Sequence, residues 1–109
     1  MAKIKTEDTE LHPLANIDRV IHAPARLMMM TYLYVVEGVD FIFLMRLTGL
    51  TWGNLSSHLS TLEEANYVSI EKEFIQKKSR TMVSLTKKGR QAFKEYKQGL
   101  LQVLNDLPD

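Results

Sequence analysis

The sequence predicts a mainly α domain carrying one small β-hairpin, an α+β chain, and three observations lead to that expectation. Leu55, Leu59 and Leu62 fall at the i, i+4 and i+7 spacing of a single helix face, with the capping residue Thr51 just ahead of them. Val68, Ile70 and Phe74 alternate with Ser69, Glu71 and Glu73, and Thr81, Val83 and Leu85 alternate with Met82 and Ser84, the period of two half-buried strands. Beyond them Phe93, Tyr96, Leu100, Val103 and Leu107 step by 3, 4, 3 and 4 residues along a final helix.

Residues 1–13 mix Lys3, Lys5, Glu7, Asp8 and Glu10 with few large apolar groups, which predicts a flexible N-terminal arm ahead of one domain at 14–109. Leu14, Ile17, Val20 and Ile21 have helical spacing, interrupted at Ala23-Pro24 because a proline inside a helix loses a hydrogen bond and clashes. Pro24 suits the first position of the next helix, expected from 24 to about 37 and closed by Gly38. Met28, Met29, Met30, Tyr32, Leu33, Tyr34, Val35 and Val36 leave that helix without a polar face, and a subunit interface would cover the extra side. Asp40 caps a short helix from 41 to 48, Gly49-Leu50 makes a tight turn, and Thr51 opens a helix that runs to about residue 65. Two short helices joined by a glycine turn form a helix-turn-helix. The two strands that follow, with a basic tip at 75–80, have the form of a wing. Thr86 caps the last helix, about 86–107. Its apolar stripe predicts dimerisation through Phe93, Tyr96, Leu100, Val103 and Leu107 together with Met28, Tyr32 and Val35 of the earlier helix. Gly99 within that helix suggests a close backbone approach.

At 109 residues and 45% apolar composition the chain has the size of one domain, too short for a separate catalytic one. Cysteine is absent, which excludes a disulfide framework and thiolate metal sites and fits a reducing compartment. The longest uncharged apolar run, residues 27–36, lies between Arg26 and Glu37 and is too short to cross a bilayer, and no signal peptide precedes it. These features predict a soluble cytoplasmic protein with no membrane partner. Net charge is only +1, but Lys72, Lys77, Lys78, Arg80, Lys87, Lys88, Arg90, Lys94 and Lys97 face only Glu71, Glu73 and Glu95 in the same stretch. A basic third on a near-neutral chain suits a polyanion docking on one side.

Residues 47–59, Leu-Thr-Gly-Leu-Thr-Trp-Gly-Asn-Leu-Ser-Ser-His-Leu, followed by Leu62-Glu63-Glu64-Ala65-Asn66-Tyr67-Val68, resemble the helix-turn-helix of prokaryotic winged-helix regulators of the MarR and ArsR type. The match is to the small stand-alone group with a GNLSxHL signature. The segments Lys77-Lys78-Ser79-Arg80-Thr81 and Leu85-Thr86-Lys87-Lys88-Gly89-Arg90-Gln91-Ala92-Phe93 are similar to that group's wing and last helix. The resemblance implies a winged helix-turn-helix with flanking dimerisation helices, acting as a homodimer on a palindromic double-stranded DNA site. It implies an operator-binding repressor or other regulator of transcription, with the helix at about 51–65 in the major groove and the wing at 75–80 on the backbone or minor groove.

With the leucines facing inward, that helix offers DNA Gly53, Asn54, Ser57 and Thr61, flanked by Thr51, Trp52, Ser56 and His58. Asn54 can pair with adenine, and the hydroxyls can meet base edges or phosphates. Phosphate attraction falls to Lys72, Lys77, Lys78 and Arg80, with Ser79 beside them, because the helix contains no lysine or arginine. Trp52 stands where relatives carry a polar residue and could instead pack beneath the helix.

A protein-binding winged helix without DNA binding is the alternative, with an apolar patch at 41–45 as its docking face. Catalysis is not expected: Ser56, Ser57 and His58 adjoin in sequence, but side chains of adjacent helix residues diverge. No cofactor and no metal are indicated, since His12 and His22 with Asp18 lack ligand spacing. A small-molecule effector is open through the Met28-Met29-Met30 cluster, whose commoner use is packing.

Overall fold

Asp18 decides how the chain enters the domain. In the computed structural model, which describes residues 12–109, its Oδ1 accepts the backbone N–H groups of Val20 (2.9 Å) and Ile21 (3.1 Å). Those donors would otherwise serve a helical ladder, so the side chain competes with the helix. The helix expected over residues 14–22 therefore does not form. A single 3-10 turn, Pro13–Asn16, and a bend stand in its place. Of the expected arm at 1–13, all but the last two residues lie outside the described residues.

Helix α1, Pro24–Val35, starts on its proline and ends earlier than the sequence suggests. Val36 is extended, and Gly38 does not cap the helix. The Arg90 guanidinium instead donates to the Tyr34 carbonyl (3.0 Å) and lies 4.6 Å from the centre of its ring, satisfying a terminal acceptor with a cation where the helix dipole favours one. The released segment makes a short strand, β1 (Val39–Asp40), which no periodicity in the sequence anticipates.

Asp40 caps α2 (Phe41–Thr48), its carboxylate accepting the Phe43 N–H at 2.7 Å. Gly49 closes α2 in the left-handed region, φ 71°. Thr51 caps α3 (Trp52–Glu64) by accepting the Asn54 N–H at 3.2 Å. The hairpin is longer than expected: β2 (Val68–Ile75) and β3 (Lys78–Leu85) pair antiparallel out to Ile75 opposite Lys78. The expected six-residue tip at 75–80 is therefore a two-residue turn, Gln76-Lys77, with φ of 51° and 65°. Two successive positive φ values match the right-handed twist of the strands. β1 adds to the other edge of β3, giving sheet order β1-β3-β2.

Helix α4 (Lys87–Asn105) follows Thr86, whose hydroxyl accepts the Gly89 N–H at 2.9 Å. A side chain at Gly89 would fall on the Tyr67 carbonyl, so this position admits only glycine. The core joins Ile21, Met29, Met30 and Leu33 to Phe41, Leu44, Leu55, Leu59, Leu62, Val68, Val83, Phe93 and Tyr96. Two residues assigned from the heptad to a dimer seam, Phe93 and Tyr96, are thus buried in the chain's own core at 8% and 7% exposure. The apolar stripe of α4 divides: its first half packs at home, while Leu101 and Leu104, and Leu107 just beyond the helix, are exposed. A methyl group at Gly99 would meet no atom within 4 Å, so nothing in the single chain requires glycine there.

Candidate nucleic-acid interface

Leu55, Leu59 and Leu62 lock one side of α3 into the core. At 3.6 residues per turn the far side must then carry Gly53, Asn54 and Ser57, and all three are exposed. Thr61 is half-buried and its hydroxyl donates back to the Ser57 carbonyl (3.2 Å). Ser56 and His58 are also half-buried and lie on opposite flanks. Thr51 is exposed, with its hydroxyl already engaged as the cap.

Trp52 is not packed beneath the helix. It is 60% exposed, and its ring tilts against Phe41 with centroids 4.3 Å apart. With Ser56 and Ser60 it forms one wall of an open cleft of about 220 Å³, whose other wall is Ile70 and Thr81 of the sheet. Trp52 therefore sits at the mouth of the cleft between α3 and the sheet.

The wing is open to solvent throughout residues 71–80, so Lys72, Lys77, Lys78, Ser79 and Arg80 are all exposed. The strand register divides them. Lys72 and Ser79 share the face of Val68, Ile70, Phe74, Thr81 and Val83, the face that continues into the core. Lys78 and Arg80 lie on the other face with Ile75, Glu71 and Glu73, where Glu73 stands directly opposite Arg80. Lys77 occupies the turn between the faces. The ribbon thus carries cations on both sides, and Glu73 offsets part of the charge on one of them.

Sequence reasoning missed Arg26. This residue, on the first turn of α1, reaches α3: its Nη1 donates to His58 Nδ1 (2.9 Å), its Nε to the Val20 carbonyl and its Nη2 to the Arg19 carbonyl (3.4 Å). It lies far outside the basic stretch at 71–97, and no local spacing links positions 26 and 58.

Away from α3, the Tyr67 hydroxyl donates to Asp18, and His22 Nδ1 lies 2.9 Å from the Tyr96 hydroxyl. Burial and the bond to Asp18 push the Tyr67 phenol up to about 12, and burial raises that of Tyr96. Asp18, Tyr67 and Tyr96 line a cavity of about 310 Å³ between the N-terminal segment and α4. His12 Nδ1 accepts the Leu14 N–H, so neither it nor His22 is placed with Asp18 as a ligand set; among the described residues no cluster of three such groups occurs. Of the three methionines considered for an effector pocket, Met29 and Met30 are core. Met28 alone faces outward, lining an apolar groove with Tyr32, Val35 and Leu47. The apolar patch at 41–45 is likewise reduced, since Phe41 and Leu44 are buried and only Ile42 and Phe43 are strongly exposed.

A helix-turn-helix whose second helix bares a polar face beside a basic two-stranded wing is the architecture of a winged helix DNA-binding regulator of transcription. The chain belongs to the winged helix DNA-binding domain family, whose model matches residues 25–104. An uncharacterized protein of Methanocaldococcus jannaschii is 34% identical over 89 residues, covering 82% of this chain and 97% of that one. The fold is also that of a transcriptional regulator homologue from Pyrococcus horikoshii OT3, with a TM-score of 0.82 and 30% identity over 89% of this chain and 100% of the other. A MarR family regulator from Silicibacter pomeroyi shares the fold at a TM-score of 0.62 and 20% identity, over 83% of this chain and 60% of its own. No helix among the described residues is long and apolar enough to cross a membrane.

Proposed function

We propose that this regulator is a sequence-specific repressor that binds a palindromic duplex as a homodimer. The observation that carries the reading is the outer face of α3, where Gly53, Asn54 and Ser57 stand exposed on a helix fixed from behind by three leucines. Such a helix enters the major groove, where Asn54 reads an adenine edge while Gly53 lets the helix start approach a phosphate. The wing follows the adjacent backbone or minor groove through Lys72, Lys77, Lys78 and Arg80, with Ser79 adding a neutral contact.

Dimerisation joins the C-terminal end of the chain, through the half-buried Leu100 and Val103 and the exposed Leu107, with Met28, Tyr32 and Val35 on α1. Leu107 and Val35 are exposed apolar groups that a single chain leaves uncovered. Two-fold symmetry then places two α3 helices on successive half-sites.

A second reading, protein docking through Ile42 and Phe43, is favoured by their exposure. Random-site selection on duplex DNA with the intact protein distinguishes the two. A palindromic consensus with binding that weakens steeply in salt supports the regulator. Absence of any enrichment, with salt-insensitive association to protein partners instead, overturns it.

A further inference from the structure

The sheet that carries the wing cations lies on one flank of α3. That is the flank of Trp52, Ser56 and Ser60, which face the sheet across the open cleft. The helix itself has no lysine or arginine. A major groove, however, has a phosphate backbone on each side, so a wing alone leaves the second strand without a cationic partner.

The opposite flank is where His58 lies, two residues and about half a turn from Ser56. Arg26 is fixed there by three contacts, to the Val20 and Arg19 carbonyls and to His58 Nδ1. A guanidinium offers donors only, so the ring nitrogen facing it must be the acceptor. The imidazole proton then sits on Nε2, at the far edge of the ring from Arg26. The five N–H groups of the guanidinium exceed the three bonds it makes to described residues, which leaves two donors on its terminal nitrogens. The side chain is ordered before any ligand arrives, so little conformational freedom is lost when one binds.

We propose that Arg26 and His58 form a second phosphate-binding site, on the flank of α3 away from the wing, which takes a phosphodiester of the other DNA strand. Arg26 supplies the charge and a forked donor pair. His58 supplies one neutral donor in a tautomer that Arg26 dictates. The helix is then held between two cationic anchors, and its neutral outer face is free for base edges. This inference rests on the reading of α3 as the groove helix.

The test is equilibrium binding of duplex DNA over a range of salt concentrations for the intact protein, R26Q, R26K and H58A, with the wing variant K77A/K78A/R80A as reference and unfolding followed in parallel. R26Q is expected to lower the slope of log K against log salt by about 0.9, one phosphate contact, and to weaken consensus and random duplexes alike. R26K retains the slope, and H58A weakens binding without changing it. A folded R26Q with the intact protein's slope overturns the proposal, because a latch between α1 and α3 alone would alter stability and not counterion release. A scan of single methylphosphonate substitutions with the intact protein keeps the question open to refutation should R26Q not fold. A sensitive phosphate cluster on the His58 flank of α3, apart from the phosphate at the start of that helix, supports the site, and clusters confined to the wing and the helix start refute it. If the intact protein shows no salt-dependent duplex binding, the regulator reading itself fails, an outcome distinct from loss of the Arg26 effect alone.

Discussion

Leu55, Leu59 and Leu62 hold one side of α3 at no more than 2% exposure, whereas every wing residue from 71 to 80 lies open to solvent. The helix presents neutral polar groups on a buried bed, and the ribbon presents charge on an exposed one. Hydrogen bonds to base edges depend on position to a fraction of an ångström, so the residues that read sequence belong on a buried scaffold. Attraction to phosphate falls off gradually with distance and tolerates movement, so it can be placed on an exposed hairpin. Under the proposed function, reading and holding are separated in the chain, and each can be altered without the other.

The most damaging way to break this division is to loosen the bed. Leu59→Ala should cost about 2–5 kcal/mol of unfolding free energy, measured by urea denaturation, and binding should fall with the folded fraction. Removing the wing charges together, K77A/K78A/R80A, should leave stability within about 0.5 kcal/mol, because all three side chains are exposed. Its signature is electrostatic: the salt slope should flatten by about 0.9 for each phosphate no longer neutralised, equally on consensus and random duplexes. Asn54→Ala should do the reverse, costing about 1–3 kcal/mol on the selected sequence and almost nothing on random DNA, with the slope unchanged. The smallest effect belongs to Phe74→Ser, since that ring is 75% exposed on the wing; the unfolding midpoint should scarcely move.

The helix-turn-helix was legible because its signals are local. Asp40, Thr51 and Thr86 each cap a helix three residues ahead of the N–H they accept, and the leucine spacing fixes which side of α3 is buried. The wing strands followed from alternation, although pairing ran further than composition suggested, into a turn of two non-glycine residues at positive φ. What the sequence concealed depends on distant partners. Residues 14–22 have helical spacing, yet Asp18 is held by Tyr67, 49 positions away, and its carboxylate takes the backbone donors. Periodicity along α4 identified one face without saying what covers it, and Phe93 and Tyr96 pack in their own chain. Gly89 sits within a lysine-rich stretch that gives no hint of the Tyr67 carbonyl against it. Arg26 meets His58 across 32 positions, and no spacing rule joins them.

The proposal that a neutral helix reads sequence while separate cations hold the duplex makes a direct demand on binding energetics. Equilibrium binding of the selected palindrome and of a scrambled duplex, each measured from low to moderate salt, addresses it. Parallel salt slopes are expected for the two duplexes, offset by an affinity gap that Asn54→Ala closes and the wing variant leaves in place. Affinity gaps that vanish with the wing charges, or binding indifferent to salt, would contradict the proposal.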